Sequence, residues 1–342
     1  MRYGDPGRIF GRTPAELGDH CPARAARALR AGPGPLLQSA RAELQLGERS
    51  GLRLLRQGEP DFPALLAEIP DAPLVLWLRG ELPDPQLPVV SIVGSRRPSE
   101  SGLELAKRFA SQLAEAGAAI VSGLAYGIDA AAHRGALAAG GPTLAFLASG
   151  LNRPSPAGNR RLAREILTQQ GGWLSEYPPD APALPGRFPE RNRLISGIAR
   201  ATLVVEARTR SGSLWTARHA NEQGREVLVV PGPIDTEGHR GSNELFRDGA
   251  IPILDTQDLL DAALPAALRH ALRNSTRAPA SEAKPTSAAA RILATLADGP
   301  VEIDALGRSL DLSPPELATL LLELELSGRI ARSGARVRRT AS

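Results

Sequence analysis

The run Val89-Val90-Ser91-Ile92-Val93, closed by Gly94, most limits what this chain can fold into. It is apolar on both of its alternating faces and rich in β-branched residues, so both faces need covering. That is the condition of a strand inside a parallel sheet. Similar runs recur at Ala119–Val121, Thr143–Leu147, Leu203–Val205 and Val227–Val230, with a short one at Trp173–Ser175. Stretches with helical periodicity lie between them, over Ser101–Ala116, Ile128–Ala139, Asn159–Gln169 and Leu214–Gln223. Strands alternating with helices predict an α/β fold, an extended Rossmann-like, doubly wound, mostly parallel sheet. Ligands of such sheets bind at the carboxyl ends of the strands.

Both flanks read differently. Residues 1–50 hold helix formers interrupted by Gly32-Pro33-Gly34-Pro35, which predicts short helices. A proline-rich stretch follows, with one strand at Leu74–Leu78. Residues 263–286 are rich in Ala, Pro, Ser and Arg and read as a linker. Beyond it, Ala288–Leu296, Ile303–Leu310 and Ser313–Leu326 read as helices, the last opened by a Ser-Pro-Pro-Glu start with Ser313 as N-cap. Ile330–Arg332 and Arg336–Arg338 around Ser333-Gly334 read as a hairpin, and three helices plus a hairpin make a winged-helix pattern. The expected organisation is a helical region over 1–55 (a degraded SAM-like module as one reading), a Rossmann-like domain over 56–265, a linker over 266–286 and a winged helix over 287–340.

Charge localises a site better than its total does. The 342 residues hold 41 Lys and Arg, only Lys107 and Lys284 being lysine, against 37 acids, for a net charge of +4. Such an arginine bias follows equally from GC-rich codon usage. The stretch 51–265 carries 22 basic and 24 acidic residues, so an anion site there must be a local cluster. One cysteine, Cys21, excludes an internal disulfide and a cysteine-rich zinc site. No apolar run is long enough for a bilayer and no secretory h-region opens the chain, so a cytoplasmic protein without membrane contact is expected.

Four Ser/Gly turns precede helices at strand ends: Gly94-Ser95-Arg96, Ser122-Gly123, Ser211-Gly212-Ser213 and Gly241-Ser242-Asn243. Backbone N–H groups at a helix start bind anions, and an arginine adds a fork of donors. Each turn is also an ordinary strand–helix connection; the four together favour convergence on an anionic ligand. No Walker loop exists, and Gly-x-Gly-x-x-Gly is missing after the first strand, which disfavours ATP hydrolysis of that kind and NAD. No cofactor or metal is expected.

The densest basic cluster runs from Arg187 to Arg210, with Arg191, Arg193, Arg200 and Arg208 between, against Glu190 and Glu206 only. Phe188 lies within it, and an aromatic among arginines can stack a base while guanidinium groups hold phosphates. A solvated loop with a core-anchoring Phe is the plainer alternative. Asp129 and His133 share a helix face at i,i+4; a structural hydrogen bond is the favoured reading over a general-base pair or half a metal site. Glu176 and Glu206 lie near strand ends and read as partners for nearby arginines. His20, His219, His239 and His270 form no triad pattern, and Cys21 reads as inert. In the C-terminal module Arg329, Arg332, Arg336, Arg338 and Arg339 make a basic wing. The third helix lacks Lys and Arg but carries Glu316, Glu323 and Glu325, which argues against reading a major groove. Partner or self-association fits that module as well as DNA does.

These motifs resemble the DNA-processing protein A (DprA/Smf) family. The resemblance runs over about residues 60–260, through Ile92–Arg96, Ile120–Ala125, Gly127-Ile128-Asp129, Ala132-His133, Leu174-Ser175-Glu176, Val204–Ala207, Ser211–Leu214, Val230-Pro231-Gly232 and Gly241-Ser242-Asn243. Its most specific element is Phe188-Pro189-Glu190-Arg191-Asn192-Arg193. The resemblance implies a non-enzymatic binder of single-stranded DNA that protects incoming DNA in natural transformation and helps load the RecA recombinase. It also implies competition with single-strand-binding protein and a homodimer. It points to Arg96 as a DNA contact and to Phe188 as the base acceptor. The family often has a lysine just before that aromatic; here the nearest basic residue is Arg187, a different donor geometry. Tyr-Pro after Gly150 and Tyr before Gly102 are missing. The expected single-stranded-DNA contacts are Gly94, Ser95, Arg96, Ser122, Gly123, Arg187, Phe188, Arg191, Asn192, Arg193, Ser211, Gly212, Ser213, Gly241, Ser242 and Asn243. The rival reading is a nucleotide-processing, phosphoribohydrolase-like enzyme on a related scaffold. Its Pro-Gly-Gly-x-Gly-Thr motif is replaced here by Ser211-Gly212-Ser213-Leu214-Trp215-Thr216.

Overall fold

The computed structural model describes residues 16, 21, 23–30, 33–169, 171–269, 288–296, 301–310, 312–326, 329–333 and 336–339. His20, His270 and most of the expected linker lie outside them. The chain divides into two compact units, residues 1–270 and 271–342.

The first unit is built on one nine-stranded sheet. Its strands are β1 (Arg53–Arg56), β2 (Val75–Gly80), β3 (Val89–Val93), β4 (Ala119–Ser122), β5 (Thr143–Phe146), β6 (Gly172–Ser175), β7 (Ala201–Val204), β8 (Glu226–Val229) and β9 (Ile251–Pro252), in the order β1-β2-β6-β5-β4-β3-β7-β8-β9. Strands β6 to β9 in that order pair in parallel, and β2 joins β6 antiparallel, Trp77 opposite Ser175. This is the doubly wound sheet that the apolar runs predict, widened at one end by an antiparallel pair. β3, β4, β5 and β7 are buried along nearly their whole length, which explains why they read as unbroken apolar runs.

Helices cover both faces. They are α1 (Ala23–Arg30), α2 (Pro33–Arg49), α3 (Ala64–Ala67), α4 (Glu100–Glu115), α5 (Ile128–Ala138), α6 (Arg160–Thr168), α7 (Arg187–Gly197), α8 (Gly212–Glu222), α9 (Arg240–Arg247) and α10 (Thr256–Ala263). One core layer packs Leu66, Leu194, Ile195 and Ala217 on Val121, Phe146, Val204 and Val229; the other packs Ala130, Leu162 and Ile166 on Ala145 and Trp173. The main departure from the sequence reading is α7. In place of the solvated loop that is the plainer alternative for the basic cluster, Arg187–Gly197 forms a helix with Pro189 in its first turn, where a missing N–H costs nothing. Its inner face carries Arg191, Leu194, Ile195 and Ile198, so a buried arginine occupies a position that helical periodicity reserves for an apolar residue.

In the second unit, α11 (Ala288–Thr295), β10 (Val301–Glu302), α12 (Ile303–Leu310), α13 (Pro314–Leu326), β11 (Ile330–Ser333) and β12 (Arg336–Arg339) form a winged helix with sheet order β10-β12-β11. Its core packs Ile292, Leu306, Leu317, Leu321, Ile330 and Val337. The Ser313 N–H donates to Glu316 at 3.1 Å, as the capping pattern predicts, and the Ser313 hydroxyl donates to the same carboxylate at 2.6 Å instead of accepting a backbone N–H. On the wing, Arg336 lies 3.9 Å from Glu302.

Candidate functional site

After β3 the chain works outward through β4, β5 and β6; it then returns to add β7 on the other side of β3. The strand order therefore reverses between β3 and β7, and a crevice opens at their carboxyl ends, as doubly wound sheets require. The crevice has a volume of about 640 Å3. Its walls are Gly94 to Arg97 after β3, Ala125 and Asp129 after β4, Phe188, Arg191 and Asn192 on α7, and Arg208 to Ser213 before α8.

Three buried ionisable residues build it, Glu206, Arg191 and Asp129. The first is Glu206, at the end of β7 and only 3% exposed. Its place beside the arginine cluster predicts an arginine partner. Instead its carboxylate accepts the Ser99 N–H at 3.0 Å and the Ser99 hydroxyl at 2.7 Å, and Ser99 in turn caps α4 by accepting the Gly102 N–H at 3.0 Å. A carboxylate at a helix N-terminus needs no cationic partner. The Glu206 carbonyl also accepts the Ser95 N–H at 2.7 Å, so a single residue fixes the Gly94-Ser95-Arg96 turn. Gly102 permits this: a Cβ there would lie 2.5 Å from Glu206 Oε2.

The second charge is Arg191, 3% exposed, beneath the crevice floor. Its Nη1 donates to the Gly123 carbonyl at 2.9 Å and to the Phe146 carbonyl. Gly123 is required for this, because a Cβ would stand 2.6 Å from Nη2. Burial lowers the guanidinium to about 10, against the opposing pull of Asp129, so it stays charged at neutral pH. Asp129 is buried and accepts the N–H groups of Gly123 and Ala125 at 3.1 and 3.3 Å; burial raises its carboxyl, and Arg191 opposes that. His133 plays the structural part expected of it. Thr143 Oγ1 donates to the Ile120 carbonyl at 2.9 Å, so it accepts from His133 Nδ1 at 2.7 Å. Burial lowers this imidazole to about 3.

Above the floor the crevice is cationic and aromatic. The Arg96 guanidinium lies 5.0 Å from the centroid of the half-buried Phe188 ring, a cation–π pair. Ser211 caps α8 with its hydroxyl on the Ser213 N–H, and the helix start faces the crevice. Arg97, Arg208 and Arg210 are exposed on the walls. Arg210 stands at φ 65°, a conformation that costs a non-glycine residue about 1 kcal/mol. These three arginines were not among the expected contacts. Arg208 and Arg210 were visible as members of the basic cluster, and Arg97 as the neighbour of Arg96.

The structure brings Gly94, Ser95, Arg96, Phe188, Arg191, Asn192, Ser211, Gly212 and Ser213 together. Other expected contacts are engaged elsewhere. Arg193 is held by Asp71 at 2.7 Å and by both oxygens of Glu176 at 2.8 and 2.9 Å, the pairing foreseen for Glu176. Arg187 stacks on Tyr177 at 4.5 Å and donates to the Pro182 carbonyl at 2.7 Å, outside the crevice lining. Ser122 donates to the Ile92 carbonyl inside the sheet, and Gly123 lies under Arg191. The fourth Ser/Gly turn is a brace. Ser242 Oγ accepts the Ala207 N–H at 2.8 Å, and Asn243 makes paired hydrogen bonds with the Gly232 backbone. Among the described residues, no group of three or more His, Cys, Asp or Glu is placed to hold a metal ion. No helix among them is long and apolar enough to cross a membrane.

A Rossmann-type sheet with an arginine-lined crevice at its switch point defines an α/β protein of the doubly wound class, with a winged helix after it in the chain. The chain belongs to the DNA recombination-mediator protein A family, whose model matches residues 53–264; the DprA winged-helix model matches residues 276–335. It is 39% identical to protein Smf of Escherichia coli over 79% of this chain and 72% of that protein. It is 41% identical to protein Smf of Synechocystis over 64% of this chain and 55% of that protein, so it spans only about half of the latter. It matches the structure of DNA processing protein A from Streptococcus pneumoniae with 37% identity and a TM-score of 0.58, covering 63% of this chain and 75% of that one. It also matches DNA processing protein A from Helicobacter pylori, described for its single-stranded DNA binding mode, with 29% identity and a TM-score of 0.55, covering 65% and 96%.

Proposed function

We propose that the crevice between β3 and β7 binds single-stranded DNA, and that the chain acts as a recombination mediator through it. The observation that carries this reading is the Arg96–Phe188 pair, an aromatic face and a guanidinium at the mouth of a crevice walled by further arginines. A base stacks on Phe188 while phosphates meet Arg96, Arg97, Arg208, Arg210 and the Gly212 N–H that opens α8. Backbone and ring contacts of this kind are tolerant of sequence. The membership of the family and the single-stranded DNA binding described for the Helicobacter pylori relative support it. RecA loading, competition with single-strand-binding protein and a homodimer belong to the same reading.

Binding rather than turnover is favoured by what the carboxylates do. Glu206 and Asp129, the two buried acids at the crevice, are both occupied by N–H and hydroxyl donors of the fold. Arg96→Ala and Phe188→Ala are expected to weaken oligonucleotide binding in gel-shift titrations with little change in folding. Unchanged affinity in both refutes the assignment. Release of base from nucleoside monophosphates by the purified chain would favour the phosphoribohydrolase reading instead.

A further inference from the structure

We propose that Trp215 is a second base-stacking platform, which carries a bound single strand out of the crevice and along α8; this rests on the crevice binding single-stranded DNA. Trp215 is 48% exposed, on a helix whose other large side chains are the half-buried Leu214 and the polar Arg218 and His219. Its ring is not bare: the Arg218 guanidinium lies 4.9 Å from its centroid, the same pairing as Arg96 with Phe188. Residues three apart on a helix lie one above the other, so Trp215 stands a turn beyond Gly212. Gly212 lines the crevice and accepts a hydrogen bond from Asn192 on α7 at 3.1 Å, one turn from Phe188. The loop that bears the exposed Arg208 and Arg210 lines the crevice with Arg96 and Phe188 and leads directly into the helix that carries Trp215. The acid closest in sequence on the helix, Glu222, lies 3.4 Å from His219. An exposed indole with a guanidinium against it fits a polyanion with stacking faces, and the helix that carries it opens at the crevice, which makes that polyanion the same strand.

The chain supplies its own probe. Of its three tryptophans, Trp77 and Trp173 are 5% and 4% exposed in the core, so Trp215 alone reports a stacked base by quenching. The full chain is titrated with a twenty-nucleotide oligothymidylate, and binding is followed by anisotropy of a labelled strand beside tryptophan emission and iodide accessibility. Emission is expected to fall at the same midpoint as anisotropy rises, with iodide excluded. Trp215→Ala weakens binding about tenfold, a loss within the range of one stacked base. Trp215→Phe keeps the affinity and abolishes the emission change. Strand binding with unaltered emission and iodide access, or quenching with full affinity in Trp215→Ala, overturns the platform and leaves the crevice reading standing. No strand binding by the unmodified chain overturns both.

Discussion

The salt dependence of strand binding separates arginines that meet phosphate from those consumed by the fold. Four exposed arginines line the crevice, Arg96, Arg97, Arg208 and Arg210. A single-stranded ligand releases counterions with a slope of about −0.7 in log K against log salt for each phosphate neutralised. An oligonucleotide short enough to occupy the crevice alone should therefore show a slope of about −2.8, which is about fifty-fold weaker binding at 200 mM than at 50 mM salt. Arg208→Ala removes one contact, so the slope falls to about −2.1 and the same interval costs about eighteen-fold. Arg193→Ala leaves the slope unchanged, because its guanidinium is held by Asp71 and Glu176. The assay is fluorescence anisotropy across a salt series, with circular dichroism to establish that each variant folds. A slope altered by Arg193→Ala and untouched by Arg208→Ala would refute the division drawn from the ion pairs.

Three further outcomes follow from the buried groups. Gly123→Ala drives a methyl into the Arg191 guanidinium and should cost about 3 kcal/mol in urea unfolding, the worth of its charge-assisted bonds, whereas Gly186→Ala, with nothing within 4 Å, stays within about 0.5 kcal/mol. Glu206→Gln replaces a carboxylate oxygen facing the Ser99 donors with an amide and should destabilise by about 1–3 kcal/mol in the same assay; an unchanged midpoint would deny Glu206 its bridging role. His133 stays neutral in the fold to about pH 3, while an unfolded histidine titrates near 6.5, so the unfolded state takes up the extra proton between those values. Its contribution is full above pH 6.5 and declines as pH falls toward 3, on the order of 4 kcal/mol across the window. Asp129, raised by burial, acts in the opposite sense in both proteins, so the difference between the native chain and His133→Gln isolates the histidine. Parallel pH profiles for the two would contradict this.

The sheet was legible because burial on both faces writes itself as unbroken apolar runs, as at Val89–Val93. The turns that shape the crevice were legible for a related reason: glycine and serine at helix starts mark where backbone donors stay free. Helix α7 was hidden by Arg191, which fills an inward position with a charge, so the period of Leu194, Ile195 and Ile198 looked incomplete. The roles of the arginines could not be read from spacing. Arg193 and Arg208 look equivalent in the basic cluster, and only the approach of Asp71 and Glu176 from other elements distinguishes them. Gly241-Ser242-Asn243 shares the chemistry of the other turns, yet its hydroxyl and amide are spent on Ala207 and Gly232.

The Ser99–Glu206 contact joins positions 107 residues apart, and each of the four crevice walls comes from a different stretch of the chain. Closing loops of that size carries an entropic cost that grows with their length, and contacts between such distant segments slow folding. No fragment ending before β7 can own the crevice, and a nascent chain has no strand-binding surface there until more than 200 residues have been made and docked. Under the proposed reading, a copy that stops short of β7 and the turn after it lacks the crevice through which the strand is bound.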